Sequence, residues 1–291
     1  MKAAAVDIGS NSVQLLAGQV ADGQIITLAQ ALYTTRLGQS SRHHYLEKER
    51  IDDTIKALLA IKSALLGENI DNIRLVATSA VRDAVNKDQF LQAVWDCCGY
   101  KVDILSGQEE AALTYLGASS IGQEGSLVLD IGGGSTELVW PEQALSLNIG
   151  AVRAKNKQMS AQEIRSFLLS SLESYLPILQ GRELLGVGGT VTTLAALKAG
   201  IKEYQRANVH GLILKKEDIL YYRQLFQPLD DQQLCSFSPL LLHRGEIIKQ
   251  GIWILESVLD LLAVKELKVS DAGILDGVLL SLEDCQQEKS F

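Results

Sequence analysis

Short apolar runs alternate with amphipathic stretches along the chain, and the pattern is read first as elements. Residues 3–8 and 13–20 read as two strands around a tight loop, and 24–34 supply a third after the turn at Gly23. From Glu47 to Leu66, Ile51, Ile55, Leu58, Leu59 and Ile61 recur at helical spacing, ending at Gly67. A strand over 73–77 follows. Asn86 and Gln89 predict a capping pair for a helix through Cys98, closed by Gly99. Val102 to Leu105 is a further strand, and Ser106 opens a helix to about Ala118. This βββαβαβα run is a complete α/β half.

A second half repeats the theme. Leu127-Val128-Leu129-Asp130-Ile131-Gly132-Gly133-Gly134-Ser135-Thr136-Glu137-Leu138-Val139 reads as strand, tight turn, strand. Pro141 ends the second strand and 144–148 give a third. Ser160-x-x-Glu163 is a capping box before a helix to Tyr175. Leu184 to Val187 runs into the loop Gly186-x-Gly188-Gly189-Thr190, and a helix follows to Gly200. Helices near 216–226, 230–235 and 244–263, a strand over 267–270 and a last helix complete the chain.

The two strand-turn-strand units align without a gap. Val6-Asp7-Ile8-Gly9-Ser10-Asn11-Ser12-Val13-Gln14-Leu15-Leu16 lies against Leu129 to Val139, with Asp7 on Asp130 and Gln14 on Glu137. An internal repeat of this kind predicts a duplicated architecture. Backbone N–H groups in such glycine turns form an anion-binding concavity. Carboxylates beside it call for a hard cation such as Mg²⁺ between them and a phosphate. The third loop, Gly188-Gly189-Thr190, places N–H groups at a helix start, a further phosphate site. It has neither the GxGxxG spacing of dinucleotide binders nor a Walker lysine.

Composition bounds the class. The chain has 291 residues, 47% hydrophobic and 21% charged, which suits two soluble globular domains. The net charge of −8 argues against a nucleic-acid binder. No apolar run reaches the ~20 residues of a membrane span, and the opening residues leave no room for a signal peptide, so a cytoplasmic protein is expected. Cys97, Cys98, Cys235 and Cys285 have no metal spacing and are expected to be reduced, buried thiols.

Glu109 and Glu110 open a helix. The simple reading is that acidic residues favour a helix N-terminus; the sharper one is that one of them orients a water. Arg36, Arg82 and Arg153 stand near loops and could take phosphate oxygens. His43, His44 and His210 show no partner in the sequence.

Taken together, Val6 to Ser12, Ala77-Thr78-Ser79-Ala80-Val81-Arg82-Asp83-Ala84-x-Asn86, Ser106-Gly107-Gln108-Glu109-Glu110-Ala111, Asp130 to Glu137, Gly150-Ala151-Val152-Arg153 and Gly188-Gly189-Thr190-x-Thr192-Thr193-Leu194 resemble the exopolyphosphatase / guanosine-pentaphosphate phosphatase (Ppx/GppA) family. That family stands within the actin, sugar-kinase and Hsp70 superfamily. The resemblance implies an α/β protein of two duplicated ribonuclease-H-like (actin-like ATPase) domains around an interdomain cleft. The domains are expected at 1–120 plus a C-terminal helix about 277–291, and at 121–276. It implies hydrolysis of the terminal phosphate of polyphosphate or of the 5′ γ-phosphate of pppGpp, with Mg²⁺ or another divalent cation, and a homodimer is common in the family.

Its catalytic base falls on Glu110. The expected phosphate-binding set is Gly9, Ser10, Asn11, Ser12, Arg82, Gly132, Gly133, Gly134, Ser135, Thr136, Gly188, Gly189 and Thr190. Asp7, Asp130 and Glu137 are the expected metal ligands. The chain departs from the family pattern at Gln39-Ser40-Ser41, Ala154-Lys155-Asn156, Arg244-Gly245-Glu246 and Leu275-Asp276. Those departures keep two other readings open: a non-catalytic (p)ppGpp or polyphosphate sensor, and a phosphotransferase of the same superfamily.

Overall fold

The computed structural model describes all residues except 40–43, 69, 71, 124, 142 and 288–291. It divides into two compact units, Met1–Gly117 with Gly273–Phe291, and Ala118–Ala272.

The first unit is a five-stranded sheet. Strands β1 (Lys2–Ile8), β2 (Ser12–Ala21) and β3 (Gln24–Thr34) form an antiparallel meander, and β4 (Ile73–Ala77) and β5 (Val102–Ile104) extend it in parallel, giving the order β3-β2-β1-β4-β5. The central strand β1 is buried on both faces from Ala3 to Ile8, which is why it reads as an unbroken apolar run instead of an alternation.

One sheet face carries Ala4, Val6 and Ile8 into a core with α1 (Lys48–Gly67) and α3 (Lys87–Cys98). Phe90 of α3 is fully buried there, a burial worth about 1.5–3 kcal/mol. Between β4 and α3 lies the short α2 (Ser79–Arg82), and α4 (Gly107–Ala118) follows β5. The opposite face, with Ala3, Ala5, Leu16 and Val76, is covered by Val278 and Leu279 of the C-terminal helix Ile274–Gln287. Glu283 of that helix accepts from the N–H groups of Asp22 and Gly23, tying it to the β2–β3 turn. A side chain at Gly117 would collide with the Gly273 carbonyl, so α4 and the start of the last helix can cross only at glycine.

The second unit repeats the plan with six strands. Strands β6 (Leu127–Ile131), β7 (Thr136–Trp140), β8 (Gln143–Leu147), β9 (Leu184–Val187), β10 (Ile213–Lys215) and β11 (Glu266–Val269) lie in the order β10-β11-β9-β6-β7-β8. Read from the meander, 8-7-6-9-11 matches 3-2-1-4-5. Strand β10 is an antiparallel addition at the far edge. Its helices are α5 (Ala151–Asn156), α6 (Ala161–Leu172), α7 (Leu176–Leu179), α8 (Gly189–Lys198), α9 (Arg206–Val209), α10 (Lys216–Phe226), α11 (Asp231–Phe237) and α12 (Gly245–Leu262). The apolar helix α12 fills the core with Ile248, Ile252, Leu255 and Leu259.

The capping box of Ser160 and Glu163 is present. The one expected at Asn86 is not: its side chain makes no cap bond. Instead Asn86 Oδ1 accepts from the Leu46 N–H at 2.9 Å and its Nδ2 donates to the Leu46 carbonyl at 3.0 Å. A buried loop that needs both its backbone groups satisfied has outcompeted the helix end. Among the described residues, no helix is long and apolar enough to cross a membrane. Cys98 is buried and burial pushes its thiol up, but Cys97 is exposed, because it sits one residue round the helix from the core face.

Candidate active site

The sequence repeat is a structural repeat down to single hydrogen bonds. The Gly9 N–H donates to the Ser12 carbonyl at 3.0 Å, and the Gly132 N–H donates to the Ser135 carbonyl at 3.0 Å. Each loop joins two paired strands, and the ladder fixes what flanks it. Asp7 pairs with Gln14 across β1–β2, and Asp130 pairs with Glu137 across β6–β7. Directly opposed residues share one face of a sheet, so the carboxylates of Asp130 and Glu137 are neighbours. Two like charges so placed repel each other unless a cation joins them.

In the second unit the loop is braced from behind. The N–H groups of Ala151 and Arg153 donate to the Gly132 and Gly133 carbonyls at 3.0 and 2.9 Å. Arg153 Nε donates to the Gly134 carbonyl at 2.5 Å. The arginine expected near a loop thus lies in helix α5 and binds loop carbonyls. The N–H groups of Gly133 and Gly134 donate to no group among the described residues, and unspent N–H groups in a turn can take an anion. Thr136 donates its hydroxyl proton to the Ile149 carbonyl at 2.6 Å, which fixes the end of the loop.

Glu137 is 1% exposed and accepts from the Ser146 hydroxyl at 2.8 Å. Asp130 is packed by Gly188. That residue has φ +86°, and a Cβ there would stand 2.6 Å from Asp130 Oδ1 and 2.8 Å from the Ile131 carbonyl oxygen. Only glycine lets the third loop close on the carboxylate. Among the described residues no cluster of three or more His, Cys, Asp or Glu is gathered to hold a metal ion. The donor set at Asp130 and Glu137 is two hard oxygen ligands. That fits Mg²⁺, which is commonly held by one or two carboxylates, with substrate phosphates and water completing its shell.

The first unit holds the paired glutamates at the start of α4. Glu109 and Glu110 have separate roles. Glu109 folds back on its helix start: its Oε2 accepts from the Ser106 N–H and hydroxyl, both at 2.8 Å, and its N–H donates to Ser106 Oγ at 3.2 Å. These bonds hold its carboxyl below the usual glutamate range. Glu110 is 8% exposed. Arg82 Nη1 donates to Glu110 Oε2 at 2.8 Å and to the Leu105 carbonyl at 2.8 Å. Burial pushes the Glu110 carboxyl up, against the hydrogen bond and charge of Arg82. Arg82 thus serves Glu110 directly, a partner the loop position of this arginine did not reveal. Glu110 Oε1 has no partner among the described residues.

Ser10 shares a 3.2 Å hydroxyl contact with Ser79, both buried, which ties the first loop to the helix that carries Arg82. Sequence reasoning missed a second cluster. Arg244 lies over Gly189, where any Cβ would overlap its guanidinium. Burial lowers the pKa of that guanidinium, while Tyr204 and Asp271 oppose the shift. The Tyr204 hydroxyl donates to Asp271 Oδ1 at 2.5 Å. Its pKa is pushed up, first by burial and then by the Asp271 charge. His210 also finds a partner: its Nδ1 accepts from the Asp271 N–H at 3.2 Å. The only sequence signal was the departure at Arg244-Gly245-Glu246. Gly245 packs against the Cys235 backbone.

Two sheets of the same strand order, each opening on an aspartate and a glycine turn, define a duplicated α/β protein of the actin-like class. The Ppx/GppA phosphatase family model matches residues 16–286, and the chain belongs to that family. It is 31% identical to exopolyphosphatase 2 of Mycobacterium tuberculosis, over 97% of this chain and 98% of that protein. It is 29% identical to a guanosine-5′-triphosphate,3′-diphosphate pyrophosphatase of Vibrio vulnificus, over 94% of this chain and 58% of that one. Among solved structures it superposes on the Aquifex aeolicus member of the Ppx/GppA family with a TM-score of 0.78, at 29% identity, over 98% of both chains. A crystal structure of an exopolyphosphatase-like protein gives 0.89 at 27% identity, over 98% of this chain and 100% of that one. The chain is a hydrolase acting on phosphoanhydrides.

Proposed function

We propose that the chain removes the terminal phosphate of inorganic polyphosphate, or the 5′ γ-phosphate of pppGpp, by in-line attack of water. The observation that carries the reading is Glu110: a buried carboxylate with one oxygen held by Arg82 and the other left for a water. Its raised proton affinity suits a general base better than an exposed glutamate would. Glu110 orients the water and takes its proton as the bond to phosphorus forms.

The N–H groups of Gly133 and Gly134, which the turn leaves unspent, hold phosphoryl oxygens with the Gly188–Thr190 helix start as charge spreads over them. Asp130 and Glu137 would hold a divalent cation such as Mg²⁺; when bound, it offsets charge on those oxygens. The match along nearly the whole length of an exopolyphosphatase supports polyphosphate as the first substrate to try.

The test is phosphate release from long-chain polyphosphate and from pppGpp with Mg²⁺, for wild type and Glu110→Gln. Loss of about 10²–10⁴-fold in the folded variant is expected for a general base. Near-normal turnover would remove Glu110 from that role. Binding of either compound by wild type without any release would favour a sensor.

A further inference from the structure

Arg82 sets a chemical problem for the group it holds. A guanidinium that donates to a carboxylate favours the ionised form, and a carboxylate so stabilised takes a proton less readily. A base needs the arginine's direction with less of its charge. A second carboxylate on the same cation meets that need. Arg82 Nη1 stands 2.8 Å from Glu110 Oε2, and Arg82 Nε stands 3.9 Å from Asp83 Oδ1. The guanidinium thus meets two acids through different nitrogens. Backbone bonds fix both neighbours at the end of α2: the Arg82 N–H donates to the Thr78 carbonyl at 3.0 Å, and the Asp83 N–H donates to the Ser79 carbonyl at 3.1 Å.

We infer that Asp83 is a positioning residue for the hydrolysis: it shares the Arg82 cation with Glu110, so that Arg82 orients the base without spending its full charge on it. This rests on the reading of Glu110 as the base. Burial is the main cause of the upward shift of the Glu110 carboxyl, and the Asp83 charge adds to it against Arg82. Charged groups on the neighbouring elements are engaged or placed elsewhere. Glu109 folds onto Ser106. Arg74 of β4 pairs with Asp103 of β5 at 3.1 Å. Asp276 of the last helix accepts from the Gly273 N–H. Asp7 lies near the end of β1, two strands from β5 in the sheet order.

Asp83→Asn keeps the shape of the side chain and removes its charge. The acid limb of kcat/KM is expected to move to lower pH, opposite to the effect of removing the Arg82 charge. At neutral pH kcat should fall by about two- to fivefold, the effect of a weaker base, while KM for polyphosphate hardly moves. In acid the variant should keep a larger share of its neutral-pH rate than wild type does. A merely structural loss would lower the whole profile without displacing it. Asp83→Glu, which restores the charge, should return the limb toward its wild-type position.

NMR titration of the Glu110 carboxyl, assigned by its absence in Glu110→Gln, distinguishes the possible failures. A Glu110 titration unmoved by Asp83→Asn, in an enzyme whose acid limb follows that titration, overturns the role of Asp83 and leaves Glu110 standing as the base. A titration lowered by Asp83→Asn beside an acid limb that stays in place upholds the coupling through Arg82 and overturns Glu110 as the base. Equal impairment of Asp83→Asn and Asp83→Glu with the limb unmoved would make Asp83 a structural residue only, and the inference would fall.

Discussion

Arg82 Nη1 sits 2.8 Å from Glu110 Oε2 while also donating to the Leu105 carbonyl. One guanidinium nitrogen therefore joins the strand-end backbone to the proposed base. The pair is nearly buried, with side-chain exposures of 21% and 11%. Such an arrangement fixes geometry as much as it stores charge energy.

Arg82→Lys keeps a cation but loses the two-way fork. Its kcat should fall by about 10²-fold, the scale of a misplaced catalytic group, with KM for polyphosphate moving much less. A rise in KM with kcat preserved would return Arg82 to substrate binding.

The pH profile follows from the same pair. Burial raises the Glu110 pKa, so its protonated form is favoured in the fold. The acid limb of kcat/KM should therefore lie above the ordinary glutamate value of 4.5. Arg82 acts to lower it, so Arg82→Gln should move the limb to still higher pH. The sign for stability is the reverse of a salt-bridged acid. The contribution is fully present below the unfolded pKa and is lost as pH rises through the folded value. Glu110→Gln should then gain Tm over wild type at neutral pH and not in acid. Thermal melts at two pH values check it.

Ser146 supports Glu137 from the neighbouring strand β8. Removing an outer partner of a metal-binding carboxylate typically costs about 10–100-fold in metal affinity. Ser146→Ala is expected at the lower end, read as a shift in the Mn²⁺ titration without substrate. An unchanged titration would count against Glu137 as a metal ligand.

Asn86→Ala leaves the Leu46 N–H and carbonyl without their partners in a buried loop. A loss of about 1–3 kcal/mol is expected for each buried group left unpaired. Urea unfolding measures it, and activity at low temperature should survive.

Local pattern made much of this legible. The loops around Asp7 and Asp130 were readable because a strand-turn-strand repeats its residue types at the same spacing, and their matching turn bonds follow from it. The order of helices and strands followed from periodicity and from stops such as Gly99, which takes the left-handed cap. Tertiary choices were not readable. Nothing local tells Glu109 from Glu110; Ser106 captures one and the half-buried Arg82 the other. Asn86 looked like a cap because its sequence neighbours said so, while its partner Leu46 lies forty residues away. Strand β10 has three residues and exists only against β11. The cluster of Tyr204, Arg244 and Asp271 joins three distant segments over one glycine.

The return of the last helix to the first sheet has a consequence for how the chain is made. The second unit, 118–272, lies entirely within the sequence of the first. On a ribosome, the second core can close while β1 still lacks the cover of Val278 and Leu279. The first unit to be synthesised is thus the last to be finished, and a stop codon near position 272 should leave a folded second unit attached to an exposed, aggregation-prone sheet.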